Sequence, residues 1–199
     1  MNSSPNAASS VSPSNKAASS SPSVTNLLDQ SALTDIAQRL VEAAKKAGAD
    51  AADAVAVRGV SQGVEIRDGR VEESERSEGD DVGLRVLVGK RQAVVSTNDI
   101  SGDNVATLAA RAVAMAKVAP EDAFVGLADP ALLAKDFPDL DLLDRNVPSL
   151  DELERRAHEA EAAALAVKGV TKSSGASASS GIGGMVLVTS TGFHGAYLR

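Results

Sequence analysis

The sequence predicts an α+β fold: a helix-flanked mixed or antiparallel sheet, followed by the beginning of a second, mainly β unit. Three observations carry this. Apolar residues recur at helical spacing from Leu33, the period switches to two at Ala52, and a helical period returns after Asp103.

The first helix is read from Leu33, Ile36, Ala37, Leu40, Val41 and Ala44, with Asp35, Gln38, Arg39, Glu42, Lys45 and Lys46 on the remaining surface. Two lysines in its last turn and Gly48 just beyond them place its end there. Residues 52–58 then read as a strand, and residues 64–74 as a hairpin turning at Asp68-Gly69. After an acidic stretch at 78–81, Val82, Leu84, Val86 and Val88 alternate with Gly83, Arg85, Leu87 and Gly89, and the chain turns at Gly89-Lys90 into residues 92–97. A second helix is expected at about 103–119, with Val105, Leu108, Ala109, Ala112 and Ala116 on one stripe and Pro120 closing it.

Residues 120–148 form a connector with Phe124, Phe137 and three prolines, and leucines interrupt acidic residues in its run 136–144. Residues 127–134 are expected to form a short helix. A third helix starts after Ser149, which has the capping-box spacing to Glu152, with Leu153, Ala157, Ala160 and Ala164 as its apolar stripe. Residues 185–189 and 193–199 then read as strands inside an unfinished sheet pattern. The domain organisation expected is therefore a Ser/Ala/Pro-rich disordered tail at 1–26, an amino-terminal α+β domain at 31–119, the connector at 120–148, and a helix with the incomplete start of a second domain at 149–199. An edge left unpaired invites association, so residues 170–199 are expected to be mobile or self-associating in isolation.

Composition narrows the function. There are 27 acidic against 20 basic residues, a net charge of -7 with no dense basic cluster, so no direct nucleic-acid contact is expected. Without cysteine, a disulfide framework, a thiolate metal site and a cysteine nucleophile are all excluded. No apolar run is long enough for a membrane span, and the chain reads as cytoplasmic.

No motif supplies an active site. His158 is followed by Glu159, but positions 162 and 163 are alanines, so neither HExxH nor HExxxH is completed; His194 has no histidine beside it. Glu72, Glu73, Glu75, Glu78, Asp80 and Asp81 lack the register of a calcium loop and read as a charged hairpin surface. Gly181, Gly183 and Gly184 lack GxGxxG spacing and precede a strand, and Ser173, Ser174, Ser177, Ser179 and Ser180 lack a nucleophile elbow. Catalytic, cofactor-binding and metal-ligating residues are each expected to be none.

The ordered part nonetheless resembles the TldD/PmbA family. The carrying segments are Asp53 and the 64–74 hairpin, Gly83-Leu84-Arg85-Val86, and Ser96-Thr97-Asn98-Asp99-Ile100-Ser101 ahead of a helix. The connector pieces Ala119-Pro120-Glu121-Asp122, Gly126-Leu127-Ala128-Asp129 and Pro138-Asp139-Leu140-Asp141-Leu142 are similar to the PmbA side of the family, also called TldE. Thr189-Ser190-Thr191-Gly192-Phe193-His194-Gly195 resembles the entry into the middle domain. The resemblance implies a non-metal-binding component of a TldD/TldE metallopeptidase assembly, acting in proteolysis or peptide maturation. It also implies a TldD-like partner that holds zinc or another divalent metal through HExxxH and a later cysteine, a peptide substrate for the assembled complex, and further middle and carboxy-terminal domains. An autonomous metallopeptidase and a small protein-binding module, such as a modulator of DNA gyrase, are the alternatives.

Overall fold

The computed structural model describes residues 29–99 and 101–199, so the expected tail at 1–26 lies outside the described residues. The elements are α1 (Ser31–Lys46), β1 (Ala51–Arg67), β2 (Arg70–Val88), β3 (Arg91–Thr97), α2 (Val105–Val118), a 3-10 turn (Pro130–Leu132), α3 (Leu150–Leu165), β4 (Ala176–Thr189) and β5 (His194–Leu198). The class is α+β: among the described residues three helices flank one five-stranded sheet, and the sheet is antiparallel at every junction.

The spatial order β3-β2-β1-β4-β5 puts β1 in the centre. Its register against β4 runs from Asp53↔Thr189 to Ile66↔Ala176. This corrects the expectation of a separate β unit after Val170, because β4 and β5 extend the first sheet on the far side of β1. It also corrects the idea of an unpaired edge at 185–189: those residues have β1 on one side and β5 on the other. Alternation along a chain identifies a strand and its buried face; it carries no information about a partner more than a hundred residues away.

Three further extents differ from expectation. The strand expected at 185–189 begins at Ala176, because Ser177 to Gly184 also pair with β1. The pieces 52–58 and 64–74 are parts of two long strands that continue through the acidic stretch at 78–81. Cross-strand pairing explains the continuity, since Arg58 opposes Asp80 and donates to its carboxylate at 2.6 and 2.9 Å. The helix expected at 127–134 is only the 3-10 turn, where Asp129 accepts from the Ala131 N–H and Pro130 occupies the first position.

The three described helices lie on one face of the sheet. The six α1 positions read from the sequence are buried, together with Ala109, Ala112, Val113 and Ala116 of α2, over Ala52, Ala54, Ala56, Val82, Leu84, Val86, Val186 and Val188. Alanines on β1 leave room for a helix to approach closely. At Gly184 the approach is closer still: a Cβ there would lie 2.8 Å from Gln30 Nε2 and 2.9 Å from Leu198 Cδ2. That Gln30 amide ties the start of α1 to β5 by donating to the Tyr197 carbonyl at 2.7 Å.

Farther along the same face, α3 forms a second, smaller core from Leu153 and Ala157 against Val64 and Ile66. The expected stripe fails in its second half. Ala160 and Ala164 are exposed, and the next buried position is Glu161. Its carboxylate accepts from the backbone N–H of Gly69 at 2.8 Å and of Asp68 at 3.1 Å, capping a turn in which both residues have positive φ. Ser149 caps α3 by accepting from the Glu152 N–H at 3.2 Å, whereas Glu152 turns away to Arg155 and Arg156, which hold its carboxyl down to about 2.

The Glu161 clamp makes an acid prediction. The Gly69 N–H is the main influence lowering its pKa below the usual carboxylate value. Its stabilisation is therefore complete above that ordinary value and is lost as pH falls through the lowered one. Acid is expected to lower the protection of the Asp68 and Gly69 amides relative to their intrinsic exchange rates, and Glu161→Gln is expected to lower it already at neutral pH and to flatten this acid response. Unchanged exchange at the turn in the variant would contradict the clamp.

Candidate functional site: a groove beneath the connector

Among the described residues the opposite face of the sheet carries no helix. Period-two alternation in β4 sends Val186 and Val188 into the core and Met185 and Leu187 outward. Pairing with β5 sets Tyr197 beside Met185 and Gly195 beside Leu187. Over this part of the sheet passes the connector, and between them lies an open groove of about 690 Å³. Phe137, Leu140, Leu142 and Leu143 of the connector face Met185, Leu187, Phe193 and Tyr197 across it. Phe137 and Phe193 meet at one end, ring centroids 6.0 Å apart and tilted at 60°.

The alternating acidic run acquires a local explanation here. Asp139 accepts from the Asp141 N–H at 3.0 Å, and Asp144 from the Asn146 N–H at 2.8 Å, so each aspartate closes its own turn. The leucines between them face the groove or water, and Leu140 remains 66% exposed. At the end of the connector, Gln62 of β1 donates to the Pro148 carbonyl at 2.5 Å. The titratable groups lining the groove are Asp139, Asp141, Arg145 and Tyr197. Such a lining suits the binding of an apolar chain and supplies no nucleophile paired with a base.

The residues weighed in the sequence are dispersed. His158 sits on α3 with its Nε2 3.7 Å from Glu154. His194 begins β5 with its Nε2 3.5 Å from the Thr34 hydroxyl of α1. The strand residues beneath them, Ala54 at one end of β1 and Ile66 at the other, are separated by roughly 40 Å at strand rise. Among the described residues no three His, Asp or Glu side chains converge as metal ligands would. Of the acidic run, Glu72, Glu78 and Asp80 pair with Arg67, Arg76 and Arg58. Gly181, Gly183 and Gly184 lie within β4, paired to β1, and so do Ser177, Ser179 and Ser180. The Ser173 hydroxyl accepts from the Gly175 N–H, and the Ser174 carbonyl from Arg67.

The groove itself was not singled out from the sequence. Its signal was present in the two phenylalanines, but their proximity depends on how the connector folds back over β5. Among the described residues no helix is long and apolar enough to cross a membrane.

Comparison with known proteins gives a consistent pattern. Residues 52–116 match the family model described as PmbA/TldA metallopeptidase domain 1. The chain is 36% identical over 160 residues to the metalloprotease PmbA homolog of Haemophilus influenzae, a match covering 79% of this chain and 35% of that protein. It is also 36% identical over 130 residues to metalloprotease PmbA of Escherichia coli O157:H7, covering 65% of this chain and 29% of the relative. The chain thus spans about a third of the length of these curated relatives. The same fold occurs in a Bacteroides thetaiotaomicron protein described as a candidate modulator of DNA gyrase, with TM-score 0.75 and 24% identity over 83% of this chain and 38% of that one. It recurs in TldE from Thermococcus kodakarensis, with TM-score 0.66 and 16% identity over 82% and 36%.

Proposed function

The chain belongs to the PmbA/TldD family, within which it is a PmbA homologue matching the amino-terminal part, and from this we propose that it serves as the non-metal-binding, PmbA-like component of a TldD/TldE-type metallopeptidase assembly. The observation that carries the reading is the 36% identity to a PmbA homologue over 160 residues, which reaches beyond the 52–116 domain match. We place the assembly in the cytoplasm, its action on peptides in proteolysis or maturation, and its zinc or other divalent metal in the TldD-like partner.

Among the described residues no donor set fits a metal. Three or more converging donors are needed, and the two histidines are engaged at separate elements, with Glu154 and with Thr34. No step of peptide hydrolysis is therefore routed through this chain. Its contribution is a surface. Phe124 is 95% exposed and Leu132 83%, and Phe137, Leu140 and Leu142 follow on the same connector. Apolar exposure along so long a segment supports contact with a protein subunit better than with a small ligand.

The test is reconstitution. An unfolded peptide is expected to be cleaved by a mixture of this chain and a TldD-like subunit, and to survive incubation with this chain alone. Turnover by the chain alone that disappears in His158→Ala or His194→Ala would overturn the assignment.

A further inference from the structure

Among the described residues the sheet is open along part of the edge away from the groove. β3 covers β2 only from Val82 to Val88. From Arg70 to Asp81, β2 has β1 on one side and, among the described residues, no strand on the other. At strand rise that is about 40 Å of open edge, and every residue along it except Asp80 is exposed. An edge of this length presents a row of backbone donors and acceptors to any strand laid beside it.

Its charges are sorted by face. On the helix side, Asp80 is held by Arg58 and Glu78 by Arg76. On the open side, pairing with β1 puts Glu73 opposite Glu65, Glu75 opposite Gly63 and Asp81 opposite Val57. Among the described residues none of Glu65, Glu73, Glu75 and Asp81 forms an ion pair. Glu65, Glu73 and Glu75 instead line a depression of about 250 Å³ floored by Gly63 and walled by Ser177 and Ser179. The register shift at Glu65/Ile66 leaves Glu72 as the extra residue of β2, so regular pairing geometry begins at Glu73.

These features choose among occupants. The same edge of a second copy would bring carboxylates against carboxylates, which disfavours pairing of like strands. A foreign strand with lysine or arginine at alternate positions gains backbone hydrogen bonds and, on the open face, charges that meet Glu73, Glu75 and Asp81, with the depression receiving a long basic side chain. We propose that the β2 edge from Glu73 to Asp81 docks an extended segment of another polypeptide bearing basic residues at alternate positions. This is strand addition directed by charge, and it is independent of the metallopeptidase assignment.

The probe is a fluorescent peptide alternating lysine and threonine, long enough to span Glu73 to Asp81, titrated with the whole chain. Binding is expected to weaken as salt rises. N-methylation of alternate peptide bonds keeps the charge but removes donors, and should weaken binding about tenfold or more. Glu73→Gln with Glu75→Gln should weaken it to a similar degree while leaving the thermal transition in place, both side chains being exposed. Hydrogen exchange should slow at 73–81 when the peptide is bound. The proposal is overturned by absence of binding, by equal binding of the methylated peptide, by protection located elsewhere, or by self-association of the chain through this edge.

Discussion

Val186→Asp is expected to unfold the whole sheet. Val186 is fully buried, pairs with Ala56 on β1 and Ala196 on β5, and belongs to the same core as the α1 and α2 residues. An unpaired carboxylate there costs several kcal/mol after relaxation, against a total stability of about 5–15 kcal/mol for an ordinary domain. Circular dichroism should show no cooperative thermal transition, and exchange protection should vanish from residues 82–95 as well as from 182–188. If residues 170–199 were a separate unit, as the sequence alone suggests, the variant would disturb only the latter. Retained protection at 82–95 would restore that reading.

The second large effect concerns the two cores. Leu40 lies in the main one and Leu153 in the smaller one beneath α3, each 1% exposed. Truncation of either to alanine removes packing and leaves a cavity, at about 2–5 kcal/mol each. Because the clusters share no residue, the double variant should lose about the sum, with a coupling of no more than about 0.5 kcal/mol. Leu153→Ala should also release α3 from Val64 and Ile66 and speed exchange at the turn that Glu161 holds, an effect that Leu40→Ala should produce only through global unfolding. Leu140→Ala, at an exposed connector position, should change stability by no more than about 0.5 kcal/mol. Denaturant midpoints for the four variants check the set. Strong coupling between Leu40 and Leu153 would mean that the sheet transmits strain between cores that look separate.

How much of this was legible depends on the range of the interaction involved. The α1 face was readable to the residue, because a surface helix records its burial in a local period. The Asp68-Gly69 turn was equally plain, since positive φ at both positions demands particular residues. α3 was misread at Ala160 and Ala164 because alanine is tolerated on either side of a helix, while a glutamate buried by two backbone N–H groups carries no signature in composition. The central place of β1 was invisible for a different reason. Its alternation suits an edge or an interior strand equally, and only the pairing of Asp53 with Thr189 decides between them. Of the candidate site, the sequence shows the phenylalanines and leucines of the connector but not the face they cover. The sorting of carboxylates along β2 likewise follows from register, which pairs some with arginines and leaves Glu73 and Glu75 beside a glycine-floored depression.

The central claim, that this PmbA homologue works as a surface-contributing partner of a metal-bearing subunit, is tested most directly by hydrogen exchange of the chain with and without a saturating TldD-like subunit. The account predicts slower exchange in the connector from 124 to 142 and at the groove residues of β4 and β5, with the helix-covered core unchanged. Exchange that is identical in the two samples throughout these segments would contradict it.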